Sequence, residues 1–306
     1  MKGKWGAKVI VFISGFLLSI FLCFNAYAAG FANPDYLIET KDLMAKMGQP
    51  GLVVVDVRVP EAYELGHIKG AINISVKLTQ GTVKGVKENM LPVADLEKLL
   101  GSKGIGTDSF VVLYDENVQD YSTLFFWTLD VLGHKKMAVL NGGISKWAKE
   151  GLPITSEETK LPPAKYTAQY DASKVATLED VKKSLGQKGV VFVDTRGSKE
   201  FTGETPGRDV GRGGGRLPGA VNVDWVNHSA TKDGFKVYKS ADELISMYEK
   251  AKVAKDKEVI VYCRTGLRCT NNYFVLKLLG YPKLRSYDGS MIEWSNIPDL
   301  PMEKGK

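Results

Sequence analysis

Short runs that are apolar on both faces alternate along this chain with longer stretches of helical period. Leu52–Val57, Phe110–Tyr114 and Met137–Leu140 predict buried strands, because a strand covered on both faces is hydrophobic throughout. Leu91–Leu100, Tyr121–Leu132 and Ile144–Lys149 predict helices. Such alternation predicts an α/β fold, a parallel sheet flanked by helices on both sides. The pattern then recurs. Val53-Val54-Val55-Asp56-Val57-Arg58 is echoed by Val191-Phe192-Val193-Asp194-Thr195-Arg196, and Gly70-Ala71-Ile72-Asn73-Ile74 by Gly219-Ala220-Val221-Asn222-Val223. Val111-Val112-Leu113-Tyr114-Asp115 is echoed by Ile260-Val261-Tyr262-Cys263, which aligns Asp115 with Cys263. Asn141-Gly142-Gly143 matches Asp288-Gly289-Ser290, each followed by a tryptophan, Trp147 or Trp294. A repeat of this length is a duplicated domain rather than a solenoid unit. The expected organisation is therefore a domain over 29–154, a linker over 155–174 and a second domain over 175–306. The linker carries Leu161-Pro162-Pro163 and has neither period nor apolar run.

Ahead of both halves, Lys2, Lys4 and Lys8 precede an uncharged apolar run from Val9 to Phe24, and Ala26-Tyr27-Ala28 supplies a small-x-small site. This predicts a signal peptide over 1–28 cleaved after Ala28, and hence a periplasmic or secreted protein. The run is shorter than the ~20 residues that span a bilayer, so an uncleaved anchor is the secondary reading. Cys23 does not suit a lipoprotein, since Phe21-Leu22 before it lacks the required small residue. Cleavage would remove three lysines and no acids, reducing the net charge of +6 to +3. That leaves too little positive charge for a nucleic-acid footprint. With 44% hydrophobic and 25% charged residues, the chain is globular, and length suggests about two domains. Three cysteines make no disulfide framework, and the scattered His67, His134 and His228 make no zinc cluster. No metal and no cofactor is expected.

The chemistry concentrates in Cys263-Arg264-Thr265-Gly266-Leu267-Arg268, between a buried strand over 258–262 and a helical run to Leu279. A cysteine there faces unpaired backbone N–H groups and the positive end of a helix dipole. Both favour thiolate, and two arginines add to the effect. The magnitude matters: a thiol of pKa about 8.5 is only ~3% ionised at pH 7. Gly266 lets the loop curl so that successive N–H groups converge on one point.

With these residues in view, the sequence resembles the tandem-domain rhodanese (thiosulfate sulfurtransferase) family. The likeness runs from about Tyr36 to Met302. It is carried by Cys-Arg-x-Gly at 263–266, Val193-Asp194-x-Arg196, Leu217-Pro218-Gly219-Ala220, Asp233-Gly234-Phe235 and Tyr287-Asp288-Gly289-Ser290 with Trp294. The resemblance implies two rhodanese-like domains, of which the first has lost its cysteine, as Asp115 fits. It implies that Cys263 takes a sulfane sulfur from a small anionic donor such as thiosulfate, holds it as a persulfide and passes it to cyanide or another thiophilic acceptor. Backbone N–H groups from Arg264 through Thr265, Gly266 and Leu267 to Arg268 would cradle the terminal sulfur. Arg264 and Arg268 would hold the sulfonate-like end of the donor. Arg264 follows the thiosulfate-using pattern, where mercaptopyruvate-using relatives usually carry glycine. Asp194 and Arg196 are candidate substrate-binding residues, with a structural salt bridge as the other reading.

Some members of the family place a substrate-binding arginine where this sequence has Glu200. The Gly207–Arg216 stretch, with Arg208, Arg212 and Arg216, is either a flexible surface loop or a basic lid over the Cys263 mouth. Cys269 reads as a small buried residue, and a Cys263–Cys269 disulfide would need backbone movement. Two rivals stand beside the sulfurtransferase. One is a non-catalytic or redox-linked protein that binds sulfur or selenium oxyanions. The other is a phosphatase or arsenate-reductase-like enzyme, but those phosphatases place an arginine six positions after the cysteine, and Arg268 is five positions on.

Overall fold

The computed structural model describes residues 30–117, 120–212 and 214–305, so the segment read as a signal peptide lies outside the described residues. Each half is built on a five-stranded parallel sheet. In the first, β1 (Leu37–Ile38), β2 (Leu52–Asp56), β3 (Ile72–Asn73), β4 (Phe110–Tyr114) and β5 (Met137–Leu140) stand in the order β1-β5-β4-β2-β3. In the second, β6 (Val175–Ala176), β7 (Val190–Asp194), β8 (Val221–Asn222), β9 (Glu258–Tyr262) and β10 (Leu284–Tyr287) repeat that order as β6-β10-β9-β7-β8. The central strands are apolar between their ends because helices cover both faces.

The repeat extends to side-chain chemistry. Arg58 forks onto Asp56 and bonds the Gly66 carbonyl at 2.7 Å, while Arg196 forks onto Asp194 and bonds the Gly215 carbonyl at 2.6 Å. Asn73 and Asn222 each donate to two carbonyls of the strand turn beside them. The Trp147 and Trp294 indoles are buried, and each donates to a proline carbonyl at 3.0 Å, Pro153 and Pro301.

Two helices bring the halves together, α1 (Asp120–Val131) and α2 (Cys269–Leu278). They run side by side in the same direction: Thr123 meets Thr270 at 3.2 Å, Phe126 meets Phe274 edge-on, and Asp130 accepts from Tyr273 and Lys277. Nearly every α1 and α2 side chain is buried, and one apolar cluster passes through both halves. The 155–174 segment is strapped along the first half: Ala164 N–H donates to Gly101, Gln169 to Leu132 and Asp171 to Val131, and the Tyr166 ring is buried. Each half also reaches across with a hairpin. Gln80–Val83 with Val86–Met90 ends with Met90 N–H donating to Asp288 Oδ2, and Ser229–Lys232 with Phe235–Tyr238 ends with Tyr238 N–H donating to Asn141 Oδ1.

His228 is sealed beneath the second hairpin, its Nδ1 on Asn271 Oδ1 and its Nε2 facing the Tyr248 hydroxyl. Burial outweighs the Asn271 hydrogen bond and pushes its pKa down to about 4. In the unfolded chain the imidazole titrates near 6.5, so between pH 6.5 and 4 the unfolded state binds more protons. Stability is therefore expected to fall as pH drops through that window. Chemical denaturation of the protein and of His228→Gln at pH 7 and pH 5 checks this. The pH-dependent loss should be smaller in the variant, and an equal loss would contradict it.

Candidate active site

Cys263 stands at the carboxyl end of β9, the middle strand of the second sheet, where open α/β sheets place their sites. Its backbone is fixed from below: Cys263 N–H donates to Ser290 Oγ at 3.1 Å, and its carbonyl accepts from Met291 N–H. The loop turns at Gly266, which sits at φ +84°, and α2 opens at Cys269. A Cβ on Gly266 would come within 2.6 Å of the Asp288 carbonyl, so only glycine lets the loop lie this close.

The thiol is fully buried, and burial alone would raise its pKa. Four influences overturn that penalty: the Cys269 thiol, the Arg268 charge, and the backbone N–H groups of Cys269 and Thr265. The net effect holds Cys263 well below the ordinary thiol range, so the sulfur is a thiolate at neutral pH. The cradle is thus built by Thr265 and by Cys269, one residue beyond the expected span. Thr265 is buried, and Leu267 packs against the core.

The two arginines differ in what they can do. Arg268 is held end-on by Glu200, with contacts of 2.7 and 3.0 Å, so its fork is not free to clasp a donor as the sequence suggested. Burial works against the Glu200 charge, but Arg268 more than offsets it and keeps the carboxyl below its usual range. The Arg264 side chain makes no hydrogen bond or ion pair among the described residues, and the residue is partly exposed. Its stem lies beside Gly207, and its backbone carbonyl accepts from Ile292 N–H.

Asp194 and Arg196 lie beneath this loop, both fully buried. The Asp194 carboxylate is taken up by the Arg196 side chain and backbone N–H, so it supports the strand end and does not reach a ligand. Arg196 Nη1 is left without a partner. In the first half the matching atom, Arg58 Nη1, pairs with Glu116, whose counterpart in the repeat is Arg264. An anion-repelling position has become a cationic one. The basic-lid reading of Gly207–Arg216 fails. Arg212 donates to the carbonyls of Trp294, Ser295, Pro298 and Leu300, and Arg216 to those of Phe201 and Gly305, so both tie down the carboxyl-terminal segment. Arg208 is exposed beside Asp209.

In the first half, Asp115 occupies the position of the cysteine. Its carboxylate accepts from Ser122 N–H and Oγ and from Asn117 N–H, so it caps α1 with its own side chain.

Two carboxyls, the buried Asp288 and the partly buried Asp120, were not singled out from the sequence as site residues. Asp288, adjoining Gly266, is pushed up to about 7 by burial and by the Cys263 and Glu293 charges, against the pull of Met90 N–H. Asp120, from the first half, is pushed up to about 7 by burial, Asp115 and Cys263. Carboxyls that take up a proton near neutrality can remain beside an anionic sulfur without repelling it. The Tyr287-Asp288-Gly289-Ser290 repeat was the available signal for Asp288 and Ser290. Nothing local marks Asp120 or Met90, since both arrive through packing of the halves. Among the described residues, no group of three or more His, Cys, Asp or Glu side chains is placed to hold a metal ion.

Comparison with known proteins places both halves in one family. The Rhodanese-like domain signature matches residues 39–150 and again 177–297. The chain is 35% identical over 289 residues to the sulfur carrier protein TtuD of Thermus thermophilus, covering 90% of this chain and 99% of that one. It is 31% identical over 273 residues to the thiosulfate sulfurtransferase of Azotobacter vinelandii, covering 89% and 98%. The anaerobic ergothioneine biosynthesis enzyme of Chlorobium limicola shares the fold, with a TM-score of 0.78 at 22% identity over 90% of this chain and 71% of that enzyme.

Proposed function

The chain belongs to the rhodanese family and is a sulfurtransferase of that type, and on that premise we propose that it moves a sulfane sulfur from thiosulfate, or a similar anionic donor, to a thiophilic acceptor through a Cys263 persulfide. The observation that carries the reading is the Cys263 thiolate seated under converging N–H groups at the end of β9. The thiolate attacks the outer sulfur of thiosulfate, the S–S bond breaks, and sulfite leaves with the bonding pair. The Thr265 and Cys269 N–H groups stabilise the charge on the transferred sulfur. Arg264 is the cation at hand for the departing sulfite, with the buried Arg196 charge behind it. An acceptor such as cyanide then takes the sulfur and returns the thiolate. Lys2, Lys4 and Lys8 with the apolar run and Ala26-Tyr27-Ala28 support an exported protein.

Steady-state assays of thiocyanate formation and of aryl phosphate hydrolysis test this. Thiocyanate should form readily and phosphate hydrolysis should be negligible. Faster phosphate hydrolysis would overturn the assignment, and stoichiometric oxyanion binding without turnover would favour a binding protein.

Glu200 sets the donor affinity in this scheme by neutralising Arg268. Glu200→Gln should release the guanidinium for an anion and lower the thiosulfate KM about fivefold, the equivalent of ~1 kcal/mol. A raised KM in a folded variant would show that Glu200 instead holds Arg268 in its working position.

A further inference from the structure

Thr195 and its counterpart in the first half, Val57, share a backbone setting and differ in chemistry. Val57 N–H donates to the Tyr114 carbonyl, and Thr195 N–H donates to the Tyr262 carbonyl. The Val57 and Thr195 carbonyls accept in turn from Val76 and Trp225 N–H. Both residues are fully buried. Val57 packs into the apolar cluster that passes through both halves. Thr195 brings a hydroxyl to the matching point, and its Oγ1 has no hydrogen-bond partner among the described residues. Asn272 Oδ1 on α2 is also buried without a partner, so the two do not satisfy each other. Burying a hydroxyl unpaired is costly, and the first half avoids that cost with valine.

Strand register fixes where this hydroxyl lies. Asp194 on β7 stands beside Tyr262 on β9, so the next residues, Thr195 and Cys263, are also neighbours. Side chains alternate along both strands: Phe192, Ile260 and Tyr262 pack on one face, Val193, Val261 and Cys263 on the other. Thr195 follows Val193 by two and therefore emerges on the face of Cys263. Neighbouring strands stand about 4.8 Å apart, and a second sulfur extends the cysteine by about 2 Å.

We propose that the Thr195 hydroxyl donates a hydrogen bond to the sulfane sulfur of the Cys263 persulfide, a contact the resting enzyme lacks. This rests on the persulfide of the proposed function. Loading converts the Cys263 thiolate and thiosulfate into the persulfide and sulfite, and the terminal sulfur then carries the negative charge. A donor idle beside the thiolate and engaged beside the persulfide stabilises only the loaded form. It therefore shifts the exchange toward loading. The first half has neither nucleophile nor donor, having Asp115 and Val57 at the two positions.

The test equilibrates the protein with thiosulfate and increasing sulfite, without oxygen or acceptor, and reads the loaded fraction by intact mass. Thr195→Val should lower the loading equilibrium constant about tenfold, the worth of one hydrogen bond to a charged group. The unloaded variant should also melt at a higher temperature, since an unpaired hydroxyl has been removed. Thr195→Ser keeps the donor and should recover most of the lost loading. Thr195→Ala also lacks the hydroxyl and replaces the valine variant should that protein fail to fold. An unchanged constant in the valine or alanine variant, or a serine variant that loads as poorly as they do, overturns the inference. A lowered melting temperature in Thr195→Val overturns it too, because the hydroxyl then has a partner in the resting protein. Failure of the wild-type protein to take up any sulfur overturns the sulfur-transfer reading itself.

Discussion

Cys263→Ser is expected to abolish sulfur transfer while leaving the fold in place. The residue sits where nearby donors and the Arg268 charge favour a thiolate, and a serine hydroxyl at that point does not ionise near neutral pH. Cys269 cannot substitute, because it is held protonated by burial and by its neighbour. The matched variant is Asp115→Ala. Its carboxylate caps α1 in the first half, so its loss should cost about 1 kcal/mol of stability. Turnover in that variant should be nearly intact, since the nucleophile and its cradle belong to the second half. Thiocyanate assays paired with thermal melts separate the two effects. Lost activity in a well-folded Asp115→Ala protein would show that the first half takes part in the chemistry.

Gly266→Ala is expected to reduce transfer at least about a hundredfold, because misplacing a reacting group by ~1 Å costs that much. The glycine has φ +84°, and a methyl group would press on the Asp288 carbonyl at 2.6 Å and on Asp288 Oδ1 at 2.7 Å. Neither neighbour can yield cheaply: Asp288 is fastened to the first half through Met90 N–H, and its carboxyl is buried. The loop itself must move, which separates the Thr265 and Cys269 N–H groups from the sulfur they serve. The variant should stay folded, since a strained backbone position costs about 1–3 kcal/mol. Single-turnover loading with thiosulfate, with circular dichroism alongside, measures the loss. Near-normal loading would mean that the cradle tolerates displacement and is not the source of reactivity.

What the sequence revealed was local in origin. Leu52–Asp56, Phe110–Tyr114 and Met137–Leu140 form strands where continuous apolar runs predicted them, and the duplicated motifs anticipated two sheets of identical order. Cys263 was legible because its loop chemistry lies within six consecutive residues. The errors concern long side chains whose partners are distant in the chain. Arg268 looked like a donor clamp until Glu200 came alongside, and Gly207–Arg216 read as either a surface loop or a lid until the carboxyl-terminal carbonyls took the Arg212 and Arg216 N–H groups. A charge count cannot show that a guanidinium is already satisfied. The contributions of Met90 and Asp120 were equally hidden, since the packing of α1 on α2 brings them to a site whose motif lies in the other half. Cys269 is buried, as its place in the first turn of the helix suggested.

The claim on which everything else depends is that Cys263 carries the sulfur. Mass spectrometry of the purified protein after brief exposure to thiosulfate, with peptide mapping and a cyanide chase, tests it directly. The expected result is one added sulfur atom, on the peptide containing Cys263, removed by cyanide with an equal yield of thiocyanate. An unmodified Cys263 in protein that still forms thiocyanate, or an added sulfur mapped to another residue, would contradict the account.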